Sequence, residues 1–171
     1  MLALAACSGI GSQTSATTAT SPPATTPATP ATTAPAAETT VSSTVGDVVG
    51  LPTTDVLVDD TALRVWVADD GEERSQGLRR VAALPDDIDG MLFVWDTPTE
   101  PTFVMQDTLI PLDVWFFDDQ GALVGTHAMT PCAEEPCPTY PAPGPVRWAL
   151  ETPLDTQEFV EGARLTTSPS G

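Results

Sequence analysis

From Ser12 to Thr44 the chain is built almost wholly from Ser, Thr, Ala and Pro, broken only by Gln13, Glu38 and Val41. A run of this kind has too little apolar surface to offset the entropy of ordering it, so it is expected to stay disordered and to take no part in a core. We place a stalk over residues 8–53. What remains of the 171 residues runs from about Thr54 to Ser168, close to the common size of one domain. Only one modest hydrophobic core is to be expected.

The residues before the stalk read Leu4-Ala5-Ala6-Cys7, which resembles the lipobox of bacterial lipoprotein signal peptides. The resemblance implies that residues 1–7 are the tail of an apolar signal region and that the Cys7 thiol carries a diacylglyceryl group. Only six residues precede Cys7, fewer than the ~7–15 apolar residues of a full signal core. Acyl chains contribute about 0.8 kcal/mol per buried CH₂, and two or more give stable anchoring. The expected location is therefore the outer face of the cytoplasmic membrane, with the lipid as the only membrane contact. About 40 flexible residues span ~35 Å on average, enough to hold a domain off the bilayer.

Beyond the stalk the pattern is that of strands. Val56-Leu57-Val58 and Thr61 to Ala68 flank an acidic turn at Asp59-Asp60. In the second strand Leu63, Val65 and Val67 alternate with Arg64 and Trp66, which predicts one buried face and one polar face. Asp70 followed three residues later by Glu73 fits a capping box, opening a short helix over 71–76 that Gly77 can end. Further strands are predicted over 91–95, 103–105, 112–117, 122–130, 146–150 and 163–166, with Asp118-Asp119-Gln120-Gly121 as a hairpin turn and 131–145 as a proline-rich loop. The fold class is mainly β (α+β): a small barrel-like or sandwich domain with one short helix. No apolar run reaches transmembrane length.

The net charge is −18, with six arginines and no lysine. So acidic a chain repels nucleic acid and anionic lipid headgroups, so neither is expected as a partner of the domain.

An ordered series of motifs adds to this reading. Glu73-Arg74-Ser75-Gln76-Gly77-Leu78, Leu84-Pro85, Gly90-Met91-Leu92-Phe93, Phe103 through Asp113, Pro131-Cys132, Pro136-Cys137, Tyr140 and Ala149-Leu150-Glu151 together resemble domain of unknown function family 192. The resemblance implies a compact β-rich exported domain and supplies no activity. The family pattern around Phe103 reads Phe-Trp-Met-Lys-Asn-Thr; here Val104, Gln106 and Asp107 replace the Trp, Lys and Asn, and Val81 stands where an arginine is usual.

Candidate chemistry is sparse. His127, Met129, Cys132 and Cys137 have donor types that suit copper(I). In an oxidising compartment, however, Cys132 and Cys137 are expected to form a disulfide, which would also remove the nucleophile of any Cys–His pair. Ligand contacts are sought among Arg74, Met105, Gln106, Asp107, Thr108, Asp113, Tyr140 and Glu151, the polar and flanking residues of the matching motifs. Asp107 and Thr108 could equally cap a turn, and Arg74, Tyr140 and Glu151 could be buried hydrogen-bond partners. Paired carboxylates for glycan hydrolysis arise by chance in a chain with 24 acidic residues. Trp95, Trp115 and Trp148 read as core, and Trp66, beside Arg64, as the candidate exposed aromatic.

The leading expectation is a monomeric, lipid-anchored envelope protein whose domain binds a ligand or partner, such as a wall glycan or an envelope protein, without a cofactor. The alternatives are a carboxylate hydrolase acting on an envelope polymer, and a copper-binding protein.

Overall fold

A computed structural model describes residues 50–167; Cys7 and nearly all of the stalk lie outside them. Nine strands and one helix follow one another as β1 (Thr53–Val58), β2 (Thr61–Ala68), α1 (Gly71–Gln76), β3 (Gly90–Thr99), β4 (Thr102–Val104), β5 (Leu112–Phe117), β6 (Leu123–Met129), β7 (Thr139–Pro141), β8 (Val146–Pro153) and β9 (Leu165–Thr167). The domain is mostly β, as the residue pattern predicts.

Seven strands form one curled sheet in the order β6-β5-β8-β3-β2-β1-β9, and β4 and β7 form a separate two-stranded ribbon. β2 and β3 run parallel. Parallel neighbours cannot be joined by a hairpin, so the chain crosses between them through α1 and the 77–89 segment. The curl brings the two edges together at one end, where Leu123 N donates to Ala163 O and Leu165 N to Gly121 O, each at 2.8 Å. This approach needs a glycine. Gly121 has φ +77°, and a Cβ there would lie 2.5 Å from the Leu165 carbonyl oxygen.

The central strands are covered on both faces, which is why they read as apolar runs rather than alternations. Met91, Phe93, Leu112, Val114, Phe116 and Ala149 join one core cluster; Leu92, Trp115, Phe117 and Leu150 join the other. β2 is divided in the same way. Leu63 and Val65 enter the second cluster, while Trp66 and Ala68 enter the first. The predicted polar face of β2 is thus corrected: Trp66 is only 6% exposed and is a core residue, not a surface aromatic.

Two further boundaries differ from expectation. Leu51 packs against the first cluster and β1 begins at Thr53, so order starts inside the segment assigned to the stalk. The 131–145 segment is not all loop, because Tyr140 pairs with Phe103 in the β4–β7 ribbon.

Candidate functional site

The capping box forms as the sequence predicts. An Asp70 side-chain oxygen accepts from the backbone N–H of Glu72 and Glu73, each at 2.8 Å, and Glu73 returns a bond to Asp70 N at 3.3 Å. The helix so started is short, and its last turn carries Arg74, Ser75 and Gln76. Gly77, with φ +51°, turns the chain so that Leu78 is buried, and Gly77 N donates to Glu73 O at 2.8 Å. Arg74 is fixed across this turn. Its Nη1 donates to the carbonyls of Asp69 and Val94 (2.8 Å for the latter), and its guanidinium lies 5.6 Å from the Trp95 ring centre.

A second wall comes from the segment after β4. Thr108 is buried; its N–H donates to Met105 O at 3.2 Å, and it bridges to Arg79. Asp107 takes φ +59° in this turn, and its carbonyl accepts from Arg80 N at 2.8 Å. Aromatic rings complete the enclosure. Phe93 stands edge to face with Phe103 at 5.0 Å and stacks with Trp95 at 6.4 Å.

The floor is Glu151. It lies on β8, between Met91 of β3 and Val114 of β5. Alternation along β8 sends Leu150 to the second cluster and Ala149 to the first, so Glu151 shares the face of Ala149. The result is a cavity of about 270 Å³ lined by residues that include Arg74, Gln76, Arg79, Trp95, Phe103, Thr108 and Glu151.

Two residues that line this cavity each carry a buried polar atom with no hydrogen-bond partner among the described residues: Gln76 Nε2 and Glu151 Oε2. A third, Arg147 Nε, lies elsewhere, on a guanidinium stacked over Trp148 at 5.5 Å. Buried polar atoms are satisfied in the great majority of cases, and each orphan costs about 1–3 kcal/mol. By contrast Thr152, the neighbour of Glu151 on the opposite face, accepts a bond from Trp115 Nε1 at 3.1 Å. Glu151 is 5% exposed, and burial pushes its carboxyl up from an ordinary 4.5 to about 8. At neutral pH it is therefore a neutral acid able to donate a hydrogen bond.

Of the residues singled out from the sequence, the structure brings Arg74, Thr108 and Glu151 to this cavity. The others have structural engagements. Met105 is buried in the first cluster. Gln106 donates to Glu135 at 2.9 Å. Asp107 makes the turn described above, and Asp113 accepts from Asp155 N at 2.9 Å. The Tyr140 hydroxyl accepts from Thr130 N at 3.5 Å.

Cys132 and Cys137 are joined as a disulfide with Cα atoms 5.7 Å apart. His127 Nε2 lies 2.9 Å from Pro141 O, and Met129 is buried in the first cluster. Among the described residues no group of three or more His, Cys, Asp or Glu side chains is placed to hold a metal ion.

Sequence reasoning missed Gln76, Arg79, Trp95 and Phe103 as members of the site. Gln76 and Phe103 lay within the motifs carrying the family resemblance, but no spacing rule joined them. Trp95, expected in the core, packs half-buried against the first cluster and also lines the cavity, where β3 emerges from the core beyond Phe93.

Fold and cavity together define a small curled-sheet domain with a partly open polar–aromatic cavity. The chain belongs to the family DUF192, described as an uncharacterized ACR, whose pattern matches residues 54–165. Two solved structures are similar. One is a putative transcription regulator from Sinorhizobium meliloti 1021, 25% identical with a TM-score of 0.60, over 68% of this chain and 95% of that one. The other is a protein of unknown function from Novosphingobium aromaticivorans DSM 12444, 28% identical with a TM-score of 0.59, over 71% and 90%. No curated protein matches.

Proposed function

We propose that this chain is a lipid-anchored envelope protein whose folded domain is a small-molecule-binding module, with its site at the cavity floored by Glu151. The observation that carries the reading is the pair of unpartnered buried atoms, Glu151 Oε2 and Gln76 Nε2, on two residues that line one cavity. A ligand that bonds to both would remove two desolvation penalties that the free domain bears. A few placed polar groups against an aromatic wall is the common composition of a ligand site, and about 270 Å³ is near the small end of the range.

Binding is favoured over hydrolysis because Glu151 is the one acidic residue lining the cavity, whereas the two-carboxylate route needs a pair. A role in transcription is not carried over from the structural relative. The charge of −18 opposes nucleic acid.

The test is a ¹H–¹⁵N titration of the full chain with a panel of small neutral, anionic and saccharide ligands. Shifts confined to the amides of 75–79, 102–104 and 108 support the reading; a panel without any pocket response contradicts it. The anchor is tested separately. With a complete signal peptide in front, Cys7→Ala should move the protein from the membrane fraction to the soluble one, and an unmodified Cys7 in membrane-associated protein would contradict the anchor.

A further inference from the structure

Taking the cavity as a ligand site, as proposed above, we infer that its ligand class is a small organic anion, a carboxylate on a flat apolar body, bound by Arg74, Arg79, Gln76 and the buried carboxyl of Glu151.

Positive charge is scarce in this chain. Over a chain of net charge −18 there are only six arginines, yet Arg74 and Arg79 both line this one cavity. The only acidic residue with them is Glu151. Its Oε2 is buried without a partner, and an isolated carboxylate in such a place would carry a large desolvation cost, so the group sits there protonated. The raised pKa, due to burial, agrees.

In that state the polar groups of the cavity are chiefly donors. Gln76 Nε2 donates and has no acceptor; Arg74 and Arg79 can only donate; protonated Glu151 has one O–H to give. A carboxylate offers these donors acceptor sites on both oxygens, and the Ser75, Thr102 and Thr108 hydroxyls of the lining can also donate to it. Charge-assisted bonds of this kind are about twice as strong as neutral ones. The rings of Trp95 and Phe103 on the adjoining wall suit a planar apolar body.

The negative surface does not cancel this preference. Long-range repulsion of an anion is largely screened beyond about 8 Å at physiological salt, while contacts inside an enclosed site are screened much less.

Three isosteric probes separate the possibilities: benzoate, benzamide and benzamidine, which are anionic, neutral and cationic. Calorimetric titration of the full chain at pH 6.5 and ~0.15 M salt should find benzoate bound at least about tenfold more tightly than the other two. Above pH 8 its affinity should fall by about tenfold per pH unit as Glu151 ionises, while benzamidine gains. Glu151→Gln should abolish this pH dependence. Arg79→Gln should weaken benzoate about tenfold and leave benzamide unchanged.

Equal binding of benzoate and benzamide, or a preference for benzamidine at pH 6.5, overturns the anion assignment while leaving a binding site in place. Failure of benzoate alongside pocket shifts from N-acetylglucosamine does the same. No pocket response to any of these probes overturns both the assignment and the binding reading.

Discussion

Replacing Glu151 by Gln should make the domain more stable in mild alkali, and the gain can be worked out. A carboxyl whose folded pKa lies above its unfolded one holds its proton more tightly in the folded chain. Its contribution to stability is then complete below 4.5 and is lost as pH rises through the folded value of about 8. The interval from 4.5 to about 8, at about 1.4 kcal/mol per pH unit, amounts to on the order of 5 kcal/mol. Roughly two-thirds of it is gone by pH 7. Other carboxylates also weaken an acidic fold as pH rises, so a single protein would not isolate the effect. The difference between wild type and Glu151→Gln does, because Gln is close in size and cannot ionise, and any fixed cost of its amide is the same at every pH. Urea melts at half-unit steps from pH 4.5 to 9 would measure it. The two curves should diverge steadily from about pH 5 and level off near pH 8.5, the variant having gained several kcal/mol relative to wild type. Parallel curves would refute the reasoning, because they would mean that Glu151 ionises alike in folded and unfolded chain.

Two other perturbations test the frame around the site. A Cβ at Gly90 would drive into the backbone carbonyl of Glu151, so Gly90→Ala should force β3 and β8 apart and cost at least about 3 kcal/mol in urea melts, where a surface Gly→Ala would be nearly neutral. Reduction of the Cys132–Cys137 disulfide closes no long loop, since the cysteines are five residues apart, and should cost only about 2 kcal/mol; thiol titration alongside thermal melting would show two thiols released from a domain that stays folded.

Much of the fold could be read from the residues because its signals are local. Asp70 and Glu73 announce the start of α1, and both sides of the capping box are present. The run 91–95 is apolar throughout, and 112–117 is apolar apart from Asp113, because β3 and β5 are buried on both faces, and Asp118 marks the β5–β6 turn by accepting from Gln120 N and Ala122 N. Trp66 was misread for a related reason. It shares a strand face with Arg64, which suggests an open face, but β2 lies between β1 and β3 with a core cluster on each side.

The site was less legible. Gln76 ends a helix and Glu151 lies near the end of β8, and they come to line one cavity because the sheet places β3 between β2 and β8. No spacing in the sequence encodes that. Glu151 stood out through family resemblance, but its missing partner is a property of the packed core, which periodicity cannot express. The polar residues at 106, 107 and 113 looked equally promising, and their engagements with Glu135, Arg80 and Asp155 turn them into structural ties.

Glu151 should keep its proton in the proposed ligand cavity, and that proton can be observed directly. In protein labelled with ¹³C at the glutamate carboxyl carbon, with Glu151→Gln identifying the signal, the Glu151 resonance should titrate with a midpoint near 8 and move higher still when benzoate is present. A midpoint near 4.5 that benzoate leaves unmoved would contradict it.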